Sequence, residues 1–128
     1  MKGAKKKLAK ISKICEWILA AHEKIRFAMV IDGLGNVQCL KTIGLYELPS
    51  EISSRLGDSL AVMAGSLFKD LSLYHGAFEY AIVKHARFST VGLRLKNAFL
   101  VFVAAGEATA EFVNHVRDTL RIYGVETE

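Results

Sequence analysis

A chain of 128 residues is one domain's length, and with 52% hydrophobic and 23% charged residues it can bury a core, which excludes wholesale disorder and leaves little room for a second folded domain. The formal charge of +4 is unevenly spread: six of the 17 bases precede the first acid, Glu16, so the remainder holds 11 bases against 13 acids. Any generic attraction to phosphate or anionic lipid must therefore come from the N-terminal lysines, and residues 1–7 read as a Lys-rich, frayed head on a single domain spanning 1–128.

From Leu8 to Ile25, the residues Leu8, Ile11, Ile14, Cys15, Ile18, Leu19, His22 and Ile25 recur at spacings of three and four, the pattern of a helix with one core-facing arc. The opposite arc carries Lys6, Lys10, Lys13 and Lys24, with Trp17 projecting among them. Phe27 to Ile31 is a continuous apolar run, as in a central strand covered on both faces. Asp32-Gly33-Leu34-Gly35-Asn36 has the composition of a turn, so the chain reverses into a second strand, Val37 to Ile43.

A long middle helix starts near Pro49 and Ser50, where Pro is tolerated in the first turn and Ser can cap, and it ends near Tyr74-His75-Gly76. Its expected buried stripe is Ile52, Leu56, Leu60, Met63, Leu67 and Leu71. Three strands follow: Phe78 to His85, Phe88 to Lys96 with a two-residue alternation, and the wholly apolar Ala98 to Ala105. Phe112, Val113, Val116, Leu120 and Tyr123 mark one face of a closing helix. The order α-β-β-α-β-β-β-α, with two strands apolar on both faces, predicts an α/β fold built as a three-layer α/β/α sandwich.

The middle helix has a second face. Gly57, Ala61 and Gly65 recur every four residues, Ser54 and Ala64 border them, and Phe68 continues the row. At about 100° per residue this row lies roughly 130° from the leucine stripe. An interior glycine costs about 1 kcal/mol relative to alanine, so two in one row call for a reason. Either the row packs against a loop of its own chain, or a second copy of the helix approaches it across a two-fold axis. In a homodimer of the second kind, the Phe78 to His85 strand, with Phe78, Tyr80 and Ile82, joins the interface by pairing at a sheet edge.

With these elements placed, the chain resembles the roadblock/dynein light chain family, a branch of the profilin-like and longin-like α/β sandwiches. The resemblance runs from Leu8 through Tyr123. It rests on element order, on Ala28-Met29-Val30-Ile31-Asp32-Gly33-Leu34-Gly35-Asn36-Val37 at the first hairpin, and on Leu95 to Gly106 leading into the last helix. It implies a five-stranded antiparallel sheet with the middle helix on one face and the terminal helices on the other. It also implies dimers paired through the middle helix and roles as scaffolds or regulators for small GTPases or motor complexes. The chain departs from the family in its Lys-rich entry and its Lys84-His85-Ala86-Arg87 turn, so no GTPase-contact residue is carried over.

Signals for chemistry are weak by comparison. Gly33-Leu34-Gly35 joins strands and has no third glycine, and there is no G-x-x-x-x-G-K-[ST] phosphate loop. His22, His75, His85 and His115 are scattered without ligand spacing, and no G-x-S-x-G elbow is present, so no catalytic residue, cofactor or metal is expected. Cys15 and Cys39 are far apart in sequence, without C-x-x-C spacing, and read as buried free thiols in a reducing cytosol. No apolar stretch approaches the roughly 20 residues of a membrane span, and Lys10, Lys13 and Glu16 interrupt what a signal peptide needs, which makes the expected location cytoplasmic. The expectation is a non-enzymatic homodimeric adaptor for a protein partner such as a small GTPase. The alternative is a nucleic-acid or anionic-membrane adaptor acting through Lys6, Lys10, Lys13, Trp17 and Lys24. A ligand sensor is a third reading, with no residue cluster to identify the ligand.

Overall fold

The computed structural model describes residues 2–44, 46–62 and 68–127; within these, the side chains of 2–10, 53, 57, 60–62 and 68 fall outside the description. The elements are α1 (Lys2–Ala21), β1 (Ile25–Ile31), β2 (Val37–Thr42), α2 (Ser50–Val62), α3 (Phe68–His75), β3 (Tyr80–Lys84), β4 (Phe88–Arg94), β5 (Phe99–Ala105) and α4 (Ala110–Ile122). The strands form one sheet in the order β2-β1-β5-β4-β3, with every neighbouring pair antiparallel. The wholly apolar β5 lies at the centre, flanked by β1 and β4, as a strand without a polar face must.

Strand alternation assigns each side chain to a layer. Ala28, Val30, Val91, Leu93, Leu100 and Phe102 face one way and are sealed by Ile14, Cys15 and Ile18 of α1 and Val113, Val116 and Leu120 of α4. Phe27, Met29, Ile31, Val101 and Val103 face the other way, packed by Leu56 of α2, by Tyr46 and Leu48 ahead of it, and by Phe88 and Phe99. A sheet with helices on both faces is the three-layer sandwich that the sequence predicts.

Local chemistry sets the boundaries. The Asp32 carboxylate accepts the N–H groups of Leu34 and Asn36, both at 2.9 Å, and the Asn36 and Gln38 side-chain amides, while Gly35 takes φ 88°. That left-handed position suits glycine, and the turn holds β1 against β2. These donors, the Asn36 N–H foremost, keep the Asp32 carboxyl below the usual carboxylate range. Thr109 caps α4 by accepting the Phe112 N–H at 3.2 Å. Buried Ser89 is satisfied by donating to the Gly106 carbonyl at 2.7 Å and accepting from the Ala108 N–H.

Several expectations are corrected. Ile25 is not in the first helix; it opens β1 and is fully buried, because the His22 carbonyl and Nδ1 accept the N–H groups of Ile25 and Lys24 and turn the chain. Helical backbone reaches back to Lys2, ahead of the predicted start at Leu8. The middle helix is described in two parts, α2 and α3, and Met63 and Leu67 of its predicted stripe lie outside the described residues. Within that stripe Leu56 is half-buried, but Ile52 and Leu71 are each 42% exposed, so the stripe does not seal along its length. Tyr123 follows α4 as its C-cap and is exposed instead of core.

Candidate interaction surfaces

Only part of the small-residue row is described. Ser54 is exposed on α2; Gly57 and Ala61 belong to the same helix, with their side-chain surroundings outside the description; Phe68 opens α3; Ala64 and Gly65 lie outside the described residues.

The strand proposed to accompany this row is a sheet edge, since β3 ends the order, and Phe78 precedes it with its ring 6.2 Å from that of Phe99. The register separates its residues in a way periodicity alone did not reveal. Tyr80 pairs with Leu93 and Ile82 with Val91, and all four belong to the layer under α1 and α4. Tyr80 and Ile82 are therefore half-buried on the face away from α2. Ala81 and Val83, paired with Gly92 and Thr90, are the β3 residues that point to the α2 side. The other edge repeats the pattern. Cys39, opposite Val30, packs under α1, whereas Leu40, opposite Met29, and Val37, opposite Ile31, belong to the α2 side. On that side the large edge residues are open: Val37 is 43%, Leu40 40% and Val83 53% exposed.

The basic surface is less coherent than its sequence. Lys13 and Lys24 are exposed, while the Lys6 and Lys10 side chains lie outside the description. Trp17 does not stand free among them: its ring stacks on Tyr123, centroids 4.5 Å apart and planes within 6°, which binds α1 to the end of α4. On the same helix Glu16 pairs with Lys41 of β2, and this contact holds the Glu16 carboxyl below its usual range.

Two further features had no sequence signal. An open cleft of about 530 Å³ is lined by Ile11, Ile14 and Val30 on one side and by Leu95, Ala98 and Val125 on the other. Cys15 and Cys39, 24 positions apart, meet with their sulfurs 2.6 Å apart. Sequence spacing could not show this contact, because α1 crosses the β1–β2 hairpin only once the sandwich is assembled. Both are free thiols, Cys15 fully buried and Cys39 half-buried, so the expectation of two buried thiols is corrected only for Cys39. Among the described residues, no group of three or more His, Cys, Asp or Glu is arranged to hold a metal, and no helix is long and apolar enough to cross a membrane.

An antiparallel five-stranded sheet in this order, with α2 on one face and the terminal helices on the other, defines a roadblock-type, profilin-like α/β fold. Solved structures agree. The chain is similar to an MglB in a tetrameric arrangement at a TM-score of 0.70 and 19% identity, covering 89% of this chain and 85% of that one. It is similar to the gliding protein MglB of Thermus thermophilus at 0.67 and 21%, covering 87% and 83%. A Roadblock/LC7 domain from Streptomyces avermitilis superposes at 0.61 with 14% identity, covering 88% and 95%. No protein-family model matches the sequence, and no curated protein matches it.

Proposed function

We propose that this chain is a non-enzymatic adaptor that self-associates through its α2 side and presents the joined sandwich to a small GTPase. One observation carries the reading: apolar side chains on the α2 side stay open at both sheet edges and on the helices, at Val37, Leu40, Ile52, Leu71 and Val83. Their counterparts under α1 and α4, Cys39, Tyr80 and Ile82, are half-buried. An edge strand with exposed apolar residues is a liability unless something covers it. The four-residue spacing of Gly57, Ala61 and Gly65 in the sequence is that of a helix face narrow enough for a second backbone to approach. The likeness to an MglB in a tetrameric arrangement supports self-association, and the roadblock resemblance supports a small GTPase as the partner. Such a protein works by positioning a partner, with no chemistry performed on a substrate.

Two measurements test the proposal. Ala61→Leu introduces bulk into the close approach, and overpacking of about 1 to 3 kcal/mol corresponds to a dimer weakened roughly 5- to 150-fold; a solution mass unchanged from wild type would count against this surface. Small GTPases of the native cell, loaded with GDP or a non-hydrolysable GTP analogue, should bind the dimer with a preference for one nucleotide state. Equal absence of binding in both states would leave a self-associating module without this partner class.

A further inference from the structure

The Cys15–Cys39 contact plays no part in the proposed adaptor surface, yet its geometry is unusual. The two sulfurs are 2.6 Å apart, about 0.55 Å beyond the S–S bond length of about 2.05 Å, so little movement separates contact from bond. The two differ in burial: Cys39 is half-buried on the edge strand β2, and Cys15 is fully buried on α1. The Cys39 sulfur also lies 3.2 Å from the Ile11 carbonyl oxygen, a second link between β2 and α1.

We propose that Cys15 and Cys39 form a reversible redox clasp between α1 and the edge strand β2, closed by exchange with a low-molecular-weight disulfide of the glutathione type. Cys39 is the attacking thiol. Its thiolate attacks one sulfur of RS–SR, forming the Cys39–SR mixed disulfide and expelling RS⁻, which takes up the proton that Cys39 gave to solvent. The Cys15 thiol then attacks the Cys39 sulfur, and the second RS⁻ that it expels takes up the Cys15 proton. Two protein thiols are oxidised to one disulfide, and one small disulfide is reduced to two thiols.

The surroundings favour this division of roles. The hydrogen bond between the two sulfurs above all lowers the Cys39 thiol from its ordinary range. The same hydrogen bond, followed by burial, raises Cys15. Lys41, two residues along β2, lends positive charge that favours the thiolate at either sulfur. The bond would close a loop containing the end of α1, all of β1 and the turn at Asp32, and so remove freedom from the unfolded chain. It would also fix α1 over one wall of the cleft lined by Ile11, Ile14 and Val30.

The test uses the full chain, reduced and then equilibrated with oxidised and reduced glutathione in varying ratio. It is quenched in acid, alkylated and weighed intact. The expected product is a species about 2 Da lighter than the reduced chain, with both cysteines protected from alkylation, a Cys15–Cys39 peptide on digestion and full recovery of both thiols by dithiothreitol. Oxidation should raise Tm by roughly 10 °C. Cys15→Ser should stop the reaction at a stable glutathione adduct on Cys39. Two alkylatable thiols under oxidising buffer, a persistent glutathione adduct on the wild type, or cross-links between separate chains would each overturn the clasp. These readings come from the wild-type chain, so the proposal stays open to refutation even where a variant fails to fold.

Discussion

The two faces of the sheet are closed to different degrees. Under α1 and α4 the chain supplies its own cover: Ile14, Ile18, Val113, Val116 and Leu120 lie over Val30, Val91, Leu93 and Phe102, and every one of these is buried. On the α2 side, among the described residues, Phe27, Met29, Val101 and Val103 in the middle of the sheet are sealed, while Val37, Leu40 and Val83 at its edges stay exposed. A single chain thus completes one half of its sandwich and leaves a rim on the other. An interface built on the open half would add to a folded subunit instead of being needed to fold it.

The sharpest way to break this contrast is substitution on each face. Phe102→Ala, at a fully buried position of the closed face, should destabilise by about 3 to 5 kcal/mol in urea unfolding, whereas Ile52→Ser on the open face should change the isolated subunit by about 0.5 kcal/mol or less. Comparable losses would mean that the α2 side is closed in solution by the chain itself. Next in size, Thr109→Ala removes the α4 cap and should cost about 1 kcal/mol, with unfolding still a single transition, since α4 belongs to the closed face. Tyr123→Ala should lose the stack on Trp17 and about 0.5 to 1.5 kcal/mol with it, and tryptophan fluorescence should report a more solvated Trp17 in the folded protein.

The element order, the central place of the Phe99 to Val103 run, the turn at Asp32 and the general position of all five strands were legible because each rests on local pattern. Side assignments at the edges were not. The sequence marks Tyr80 and Ile82 on a strand, but only the register with Leu93 and Val91 puts their side chains under α1 and α4 and leaves Val83 on the α2 side. A strand's period gives two alternating faces and no indication of which layer each one meets. Trp17 is a related case. Helical periodicity set it among lysines, but its partner, Tyr123, is more than a hundred residues away and meets it only through the packing of α1 on α4. The cysteine pair is the same case: two apolar positions on separate elements became neighbours by topology alone.

The smallest expected effect concerns acid. The Asp32 carboxyl is held below the ordinary value of about 3.9 in the folded state, so the folded chain binds fewer protons than the unfolded one in that range. Its contribution to stability is present above about pH 4 and is lost as pH falls through the lower folded value. Tm measured from pH 7 downward should therefore begin to decline below about pH 4, and Asp32→Asn should flatten part of that decline. An unchanged acid profile in the variant would separate the turn from the stability of the β1–β2 edge.

The mass of the wild-type protein in solution bears most directly on the open α2 side. Sedimentation equilibrium over a range of micromolar concentrations should give twice the chain mass of 14.1 kDa, or an even multiple of it, with Ala61→Leu shifting the distribution toward the single chain. A mass of one chain at every concentration, identical for wild type and variant, would contradict the claim that the unsealed rim is where two copies meet.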